Sequence, residues 1–402
     1  MSNISNLISN RLRFNSGSSF SASVIWISKL SIALGVTILV VSVAIYAGFQ
    51  EQIHQKIFSL SGQVSLRQFT TGSLYDEQPL ELDAAFLKEV RKSPEVTHIQ
   101  SFAYKPALLR TDEEVVGVLL KGIGKDFNIK AFQPNVETKL SKTPGVEEIW
   151  LSHRILNKLH LRKGSEVVIF FLQDPPRFRK LKVANIYQTG LEDVDDNMVF
   201  VSQSLLQEIN QWQPNQTGGF EVFIRNFDDF GYALADLEKR LPYNIGMEPI
   251  TDTHIQLFEW LKIIGRNVTV MFVLVSLVAG FNIASTLLIM VMERRQMVGV
   301  LKAMGASNPV VRQIFVRNGI NIIVQGMWWG NLVGLVFALL QWQFHLIPLD
   351  PASYYVSSVP IGWDWLSMLG INAGVLIITS LTILIPVRLV NSISPAEAVR
   401  SV

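Results

Sequence analysis

The sequence predicts a membrane protein with four transmembrane α-helices and one large extracytoplasmic α+β domain of two lobes, set between the first and second helices. Three observations predict it. Four long runs carry no charged residue, Lys and Arg gather beside alternate loops, and residues 50–267 alternate short β-like stretches with amphipathic helical ones. Composition points the same way, with 49% hydrophobic and only 17% charged residues. A net charge of +2 without a basic arm argues against nucleic-acid binding. The chain has no cysteine, which excludes thiolate metal sites, thiol nucleophiles and disulfides.

The elements follow in chain order. Residues 1–29 form a cytoplasmic N-terminal segment containing Arg11 and Arg13, and no small-residue cleavage site follows a short apolar run, so the first apolar stretch reads as a retained anchor. A hydrocarbon layer about 30 Å thick needs about 20 apolar helical residues. Residues 30–49, 268–292, 318–344 (with 319–340 as the apolar centre) and 365–387 meet that requirement. A buried helix in a soluble protein is the alternative for any one of them, and four in one chain argue against it. Arg294, Arg295, Lys302, Arg312 and Arg317 fall between the second and third spans, and Arg388 and Arg400 follow the fourth, whereas residues 345–364 hold no Lys or Arg. The excess of basic residues places both termini and the 293–317 segment in the cytoplasm. Residues 50–267 and the 345–364 loop are then periplasmic, and 388–402 is a cytoplasmic tail.

Within 50–267 the pattern predicts strands at 63–67, 115–120, 167–171, 181–187 and 221–224, and helices at 82–91, 155–159, 204–210 and 229–240. A second lobe begins near Glu148, and 251–267 extends the second membrane helix outward as a stalk. The loop 173–180, with Pro175, Pro176, Arg177 and Arg179, reads equally as a contact for a periplasmic partner or as a hairpin tip.

The search for covalent chemistry is negative. Gly124-Lys125 lacks the glycine required at position 119 and the Ser/Thr required at 126, so there is no phosphate loop. Asp193 to Asn197 opens like a calcium loop, but Met198 replaces the turn glycine and Ser204 the closing glutamate, which leaves a solvated acidic loop. The six histidines show no metal-ligand spacing. No catalytic, cofactor-binding or metal-ligating residue is assigned, and the chain does not read as an enzyme.

Gly326, Gly330 and Gly334 recur every fourth residue in the third span, a ladder that lets helix backbones approach closely; packing within one subunit is the reading favoured over a subunit interface. Asn282, Gln325, Asn331 and Asn372 lie at membrane depth, where an unsatisfied polar group is costly. No span centre holds an ionisable residue, which argues against an ion-coupled carrier. The stretch 293–307 continues the second span helically into the cytoplasm and stops at Gly305, a helix cap. Asn308 and Pro309 then restart a helix as N-cap and first residue. Val298, Leu301, Ala303 and Met304 form an apolar knob among Glu293, Arg294, Arg295, Gly299 and Lys302. The knob is too narrow for a membrane-surface helix, which leaves docking to a soluble partner.

Residues 281–307, with Glu293-Arg294-Arg295 and Gly299 to Ser307, resemble the signature of FtsX/MacB-type ABC permeases, in which the segment is a coupling helix seated in an ATPase dimer. Ser394 to Arg400 is similar to that family's C-terminal tail. Gly48-Phe49 and the stretch 148–201, including Leu161 to Gly164 and Tyr187 to Gly190, resemble the LolC/LolE lipoprotein-releasing branch. The resemblance implies a permease subunit of the bacterial inner membrane that releases outer-membrane-directed lipoproteins. It also implies a LolD/MacB-like ATPase dimer that binds ATP and Mg, a second permease subunit (the same chain or a homologue), and a periplasmic lipoprotein carrier. Two departures matter: the 173–180 loop is short beside the hook of that branch, and no nucleotide-binding domain is fused to the chain. A mechanotransmission or signalling permease and a small-molecule exporter with a separate ATPase remain the alternatives.

Overall fold

Four helices, Phe20–Leu60, Ile255–Glu293, Asn308–Phe344 and Trp365–Arg388, dominate the computed structural model, which describes residues 20–69, 78–81, 84–173 and 175–388. Each is long and apolar enough to cross a membrane. The expectations placed on Arg11, Arg13, Leu82, Asp174 and 394–400 lie outside the described residues. The first two helices, of 41 and 39 residues, are about twice the length a bilayer needs. The chain divides into two units. Among the described residues, the helical unit comprises 20–51, 260–348 and 358–388, and the sheet unit comprises those between 52 and 259 together with 349–357.

The core of the helical unit draws on all four helices, with Ile32, Val36 and Leu39 from the first, Ile283 and Leu287 from the second, Phe315 and Ile323 from the third, and Val375 and Ile383 from the fourth. Close packing between apolar helices in lipid rests on small residues and polar cross-links, and both are present. Asn282 donates to Ser31 Oγ at 2.6 Å, Ser28 and Thr286 share a hydroxyl hydrogen bond, and Asn331 and Asn372 bond reciprocally at 2.7 and 3.0 Å. Gln325 donates to Asn321 one turn away.

The sheet unit is built on one nine-stranded mixed sheet. Its strands in chain order are β1 (Val64–Gln68), β3 (Val96–Arg110), β4 (Val115–Ile123), β5 (Glu148–Ser152), β6 (Glu166–Phe171), β7 (Arg177–Tyr187), β8 (Met198–Ser202), β10 (Gly219–Ile224) and β11 (Ile245–Pro249). The short β2 (Leu80–Glu81) and β9 (Gln216–Thr217) pair separately. The spatial order is β11-β1-β10-β3-β4-β8-β5-β7-β6, and β6 also pairs with the far end of β3. Two apolar cores share this sheet. One gathers Val64, Leu66, Phe220, Val222 and Ile99 with Phe86, Val90 and Leu237 from the helices Ala84–Arg91 and Phe230–Glu238. The other gathers Ala107, Leu120, Ile149, Ile169 and Val201 with Ile155 and Leu206. The lobes are therefore not consecutive pieces of chain: β3, 15 residues long, places Ile99 in one core and Ala103 and Leu109 in the other.

Several local expectations are corrected. Residues 177–180 are strand and not loop, because the β6–β7 ladder continues to Phe171↔Arg177. Residues 192–197 are helical, and Asp195 is buried where a solvated loop was expected. Its carboxylate accepts from Thr189 N and Oγ1 and from Gly190 N at 2.9 to 3.0 Å, closing a turn in which Gly190 has φ +72°.

Candidate functional site

The elbow between the second and third long helices departs from a simple continuation. The second helix ends at Glu293, and Arg294 leaves helical geometry with φ −97° and ψ 18°. A separate helix, Arg295–Ala303, follows. It closes on Gly305, whose φ of +90° a side chain would strain. Ala306 N donates to Leu301 O and Gly305 N to Lys302 O, the crossed pair of bonds that terminates a helix with a left-handed residue. The third helix is capped by Ser307, in extended geometry, one residue before the expected Asn308. Pro309 occupies its first turn, where a missing N–H costs nothing.

The apolar knob is corrected at one position. Val298 is fully buried in the chain's own core with Val311 and Phe315, and Gly299 is buried beside it. Leu301 and Lys302 are half-buried, while Val300 (50% exposed) and Met304 (72% exposed) face outward with Glu293 and Arg295. A helix only nine residues long anchors itself with one face, so half of its apolar residues serve the fold. What is left outward is an apolar pair, Val300 and Met304, on a rigid and well-capped element.

The three glycines of the ladder lie against the first helix. A Cβ on Gly326 would stand 2.8 Å from Ile32 Cβ, one on Gly330 2.6 Å from Ala33 O, and one on Gly334 3.1 Å from Val40 Cβ. Thr37 Oγ1 donates to Gly330 O at 3.0 Å, a bond available only at such an approach.

In the sheet unit, Pro175 and Pro176 are exposed at the turn between β6 and β7. Arg177 and Arg179 are engaged by their own domain. Arg177 donates to the carbonyls of Glu208 and Ile209 near the end of helix Gln203–Asn210, and Arg179 pairs with Glu208 at 2.5 Å. Beside the turn, Leu172 and Phe178 are exposed, which leaves apolar surface where charge was expected.

Sequence reasoning missed the most heavily buried charge in the described residues. Lys121 on β4 is fully buried and donates to Glu221 Oε1 on β10 at 2.5 Å and to the Leu60 carbonyl at 2.7 Å. Gln100 holds the other carboxylate oxygen at 2.7 Å. Burial pushes the Lys121 pKa down, but Glu221 and Tyr104 outweigh it and hold the ammonium above its ordinary value. The signal available in advance was one lysine inside the apolar run 115–123 and one glutamate inside 219–224, a hundred residues apart in the chain.

Four helices long and apolar enough to cross a membrane fit a multi-pass membrane protein, and sequence comparison narrows the class. Residues 269–395 match the model of the FtsX-like permease C-terminal family. Along nearly its whole length the chain is similar to proteins of lipoprotein-releasing systems. It is 23% identical over 400 residues to the transmembrane protein LolE of Haemophilus influenzae, covering 93% of each chain. It is 23% identical over 401 residues to LolC of Xylella fastidiosa, covering 93% of this chain and 92% of the relative. Among solved structures, the periplasmic region of MacB from Actinobacillus actinomycetemcomitans aligns at 12% identity with a TM-score of 0.34, over 50% of this chain and 95% of that one. The extracellular domain of the Gram-positive transporter YknZ aligns at 14% identity with a TM-score of 0.31, over 46% and 98%. The family match and the curated relatives support an ABC-transporter permease role.

Proposed function

We propose that this chain is the inner-membrane permease subunit of an ATP-driven transporter that releases outer-membrane-directed lipoproteins, and that a separate ATPase dimer drives it through the helix Arg295–Ala303. The observation that carries the reading is that helix: anchored by Val298, closed by Gly305, and presenting Val300 and Met304 outward. A knob of that kind delivers or receives force only if it is stiff, and the crossed cap bonds make it so. Both termini lie in the cytoplasm, and the sheet unit is periplasmic, an orientation supported by the basic residues of the elbow. ATP and Mg belong to the partner ATPase. The similarity to LolE and LolC of lipoprotein-releasing systems supports the substrate class of this reading.

Physics limits how such a substrate moves. Exposing lipid chains to water costs about 0.8 kcal/mol per CH₂, so a triacylated anchor costs on the order of tens of kcal/mol. That exceeds the roughly 18–21 kcal/mol at which the tightest binding saturates, so the chains must pass through an apolar enclosure. In this chain the first and second helices are bonded to each other through Ser28–Thr286 and Ser31–Asn282. An enclosure therefore needs a second permease subunit, the same chain or a homologue. Outward apolar residues on both helices, Leu30 and Leu34 on one and Leu274 and Phe281 on the other, are suited to line it.

The same sealed contact favours a second reading, in which the permease transmits motion to a periplasmic partner without extracting lipid. Proteoliposomes carrying the permease, its ATPase and a fluorescent triacylated lipoprotein separate the two. ATP-dependent appearance of the lipoprotein in the aqueous phase with a carrier supports release. ATP hydrolysis without release assigns the chain to transmission.

A further inference from the structure

The first long helix does not end in solvent. Its last turns, within 52–60, belong to the sheet unit, and its final carbonyl, Leu60 O, accepts from Lys121 on the sheet face that also carries Gln100, Tyr104 and Glu221. The last four carbonyls of any helix lack intrahelical partners and together carry the negative end of the helix dipole. Here Lys121 supplies the partner for Leu60, and Asn135 reaches Ser59 Oγ at 2.7 Å. Directly after the helix, Gly62 runs so close to β10 that a Cβ would stand 2.7 Å from Val222 O. The next residue, Gln63, accepts from Ile224 N through its side chain and from Ile250 N through its carbonyl. That second bond ties in the chain just before the second long helix begins at Ile255.

A cavity of about 200 Å³ adjoins this joint, lined by Ile57, Leu60, Tyr104, Lys121, Ile250 and His254. The helix end is therefore not packed flush on the sheet at this point, and Lys121 bridges the gap. Two apolar residues in place of Lys121 and Glu221 would serve stability as well, because burying an ion pair costs about what its attraction returns. What they would lack is a directional bond to the helix terminus.

We propose that Lys121, oriented by Glu221, is the positioning residue that fixes the last turns of the first long helix, within 52–60, to the sheet, so that these turns and the sheet move as one body. The rigidity is a property of the chain itself; its use in transmitting the ATPase stroke rests on the function proposed above. Glu221 keeps the ammonium aimed, Gln100 keeps the carboxylate aimed, and Asn128 N donates to Gln100 in turn.

The test uses the full chain with its ATPase in nanodiscs, with spin labels at Gln52→Cys and Glu113→Cys, both exposed positions in a protein without native cysteine. Electron-spin distance measurement should give one narrow distribution, identical without nucleotide and with ATP. The Lys121→Met/Glu221→Leu double variant, chosen because either single change strands a buried charge, should remain folded, although Leu60 O and Gln100 Nε2 lose these partners. Its distance distribution should broaden or become nucleotide-dependent. In the release assay it should hydrolyse ATP normally while release per ATP falls about tenfold, within the range by which residues between two sites modulate coupling. A broad distribution in the unmodified background, or an unchanged narrow one in the double variant, overturns the joint. If the unmodified protein releases nothing, the release reading fails and the distance measurement still decides the joint.

Discussion

Val298 lies in the short helix Arg295–Ala303 and Met304 is its C-cap, the one buried and the other exposed, and that difference decides what each substitution does. Val298→Asp places an unpaired carboxylate in a core with Val311 and Phe315, which costs roughly 3–5 kcal/mol and should cost the helical unit its fold. Met304→Asp should leave the fold unchanged, since the side chain is mostly exposed. In the sheet unit, three titratable groups set an alkaline limit. Burial raises the pKa of Tyr187 well above 10 and that of Tyr104 above its ordinary value, and Lys121 is raised by Glu221 and Tyr104 against the effect of its burial. Groups whose folded pKa is raised contribute stability that is complete below their unfolded pKa of about 10 and is lost as pH rises through the folded value. The thermal midpoint of the detergent-solubilised protein should therefore be flat from about pH 7 to 9 and fall above about pH 10. A decline already complete by pH 9 would contradict this assignment. Sequence alone exposed Gly305, because a glycine after a helical run signals a left-handed cap. It did not expose Lys121, because the alternation of a buried strand does not identify which lysine meets a glutamate a hundred residues away.

At the level of elements, the glycine ladder is a contact between two helices of one chain, and its cost of disruption can be read from the distances. A methyl on Gly330 would sit 2.6 Å from a backbone oxygen on the first helix, which cannot move aside as a side chain can. Gly330→Ala should destabilise the solubilised protein by about 1–3 kcal/mol, the usual cost of overpacking. Gly370→Ala in the fourth helix, where nothing lies within 4 Å of the added carbon, should be neutral or stabilising by about 0.5–1 kcal/mol. Equal midpoints for the two variants would sink the packing account. The spacing of small residues made this contact visible in advance; the partner helix was not visible, since Ile32, Val36 and Val40 look like any apolar stripe. The 173–180 loop was misread for a related reason. Arg177-Phe178-Arg179-Lys180 looks hydrophilic enough for a loop, yet its residues are held in strand by the β6 ladder and by the end of a helix that sequence distance hides.

For the whole molecule, four charge-free runs were enough to locate in the sequence the four helices that are long and apolar enough to cross a membrane. The single sheet shared by two cores was not legible, because β3 joins residues that pattern reading assigns to different lobes. The orientation has a simple check. A cysteine at Ser307 should be labelled only from the cytoplasmic side and one at Ser357 only from the periplasmic side, both being exposed positions; the reverse pattern would invert the account. Its central claim, that a separate ATPase grips the helix Arg295–Ala303, has a more direct test. Burying a methionine-sized side chain is worth about 1.5–3 kcal/mol, and each 1.4 kcal/mol is about tenfold in affinity. In purification from native membranes, the unmodified chain should bring down its ATPase, and Met304→Asp should lower that association about tenfold or more while membrane insertion and thermal midpoint stay unchanged. Undiminished ATPase recovery with Met304→Asp, or with Val300→Asp and Met304→Asp together, would mean that the helix is only a surface turn and that the coupling lies elsewhere.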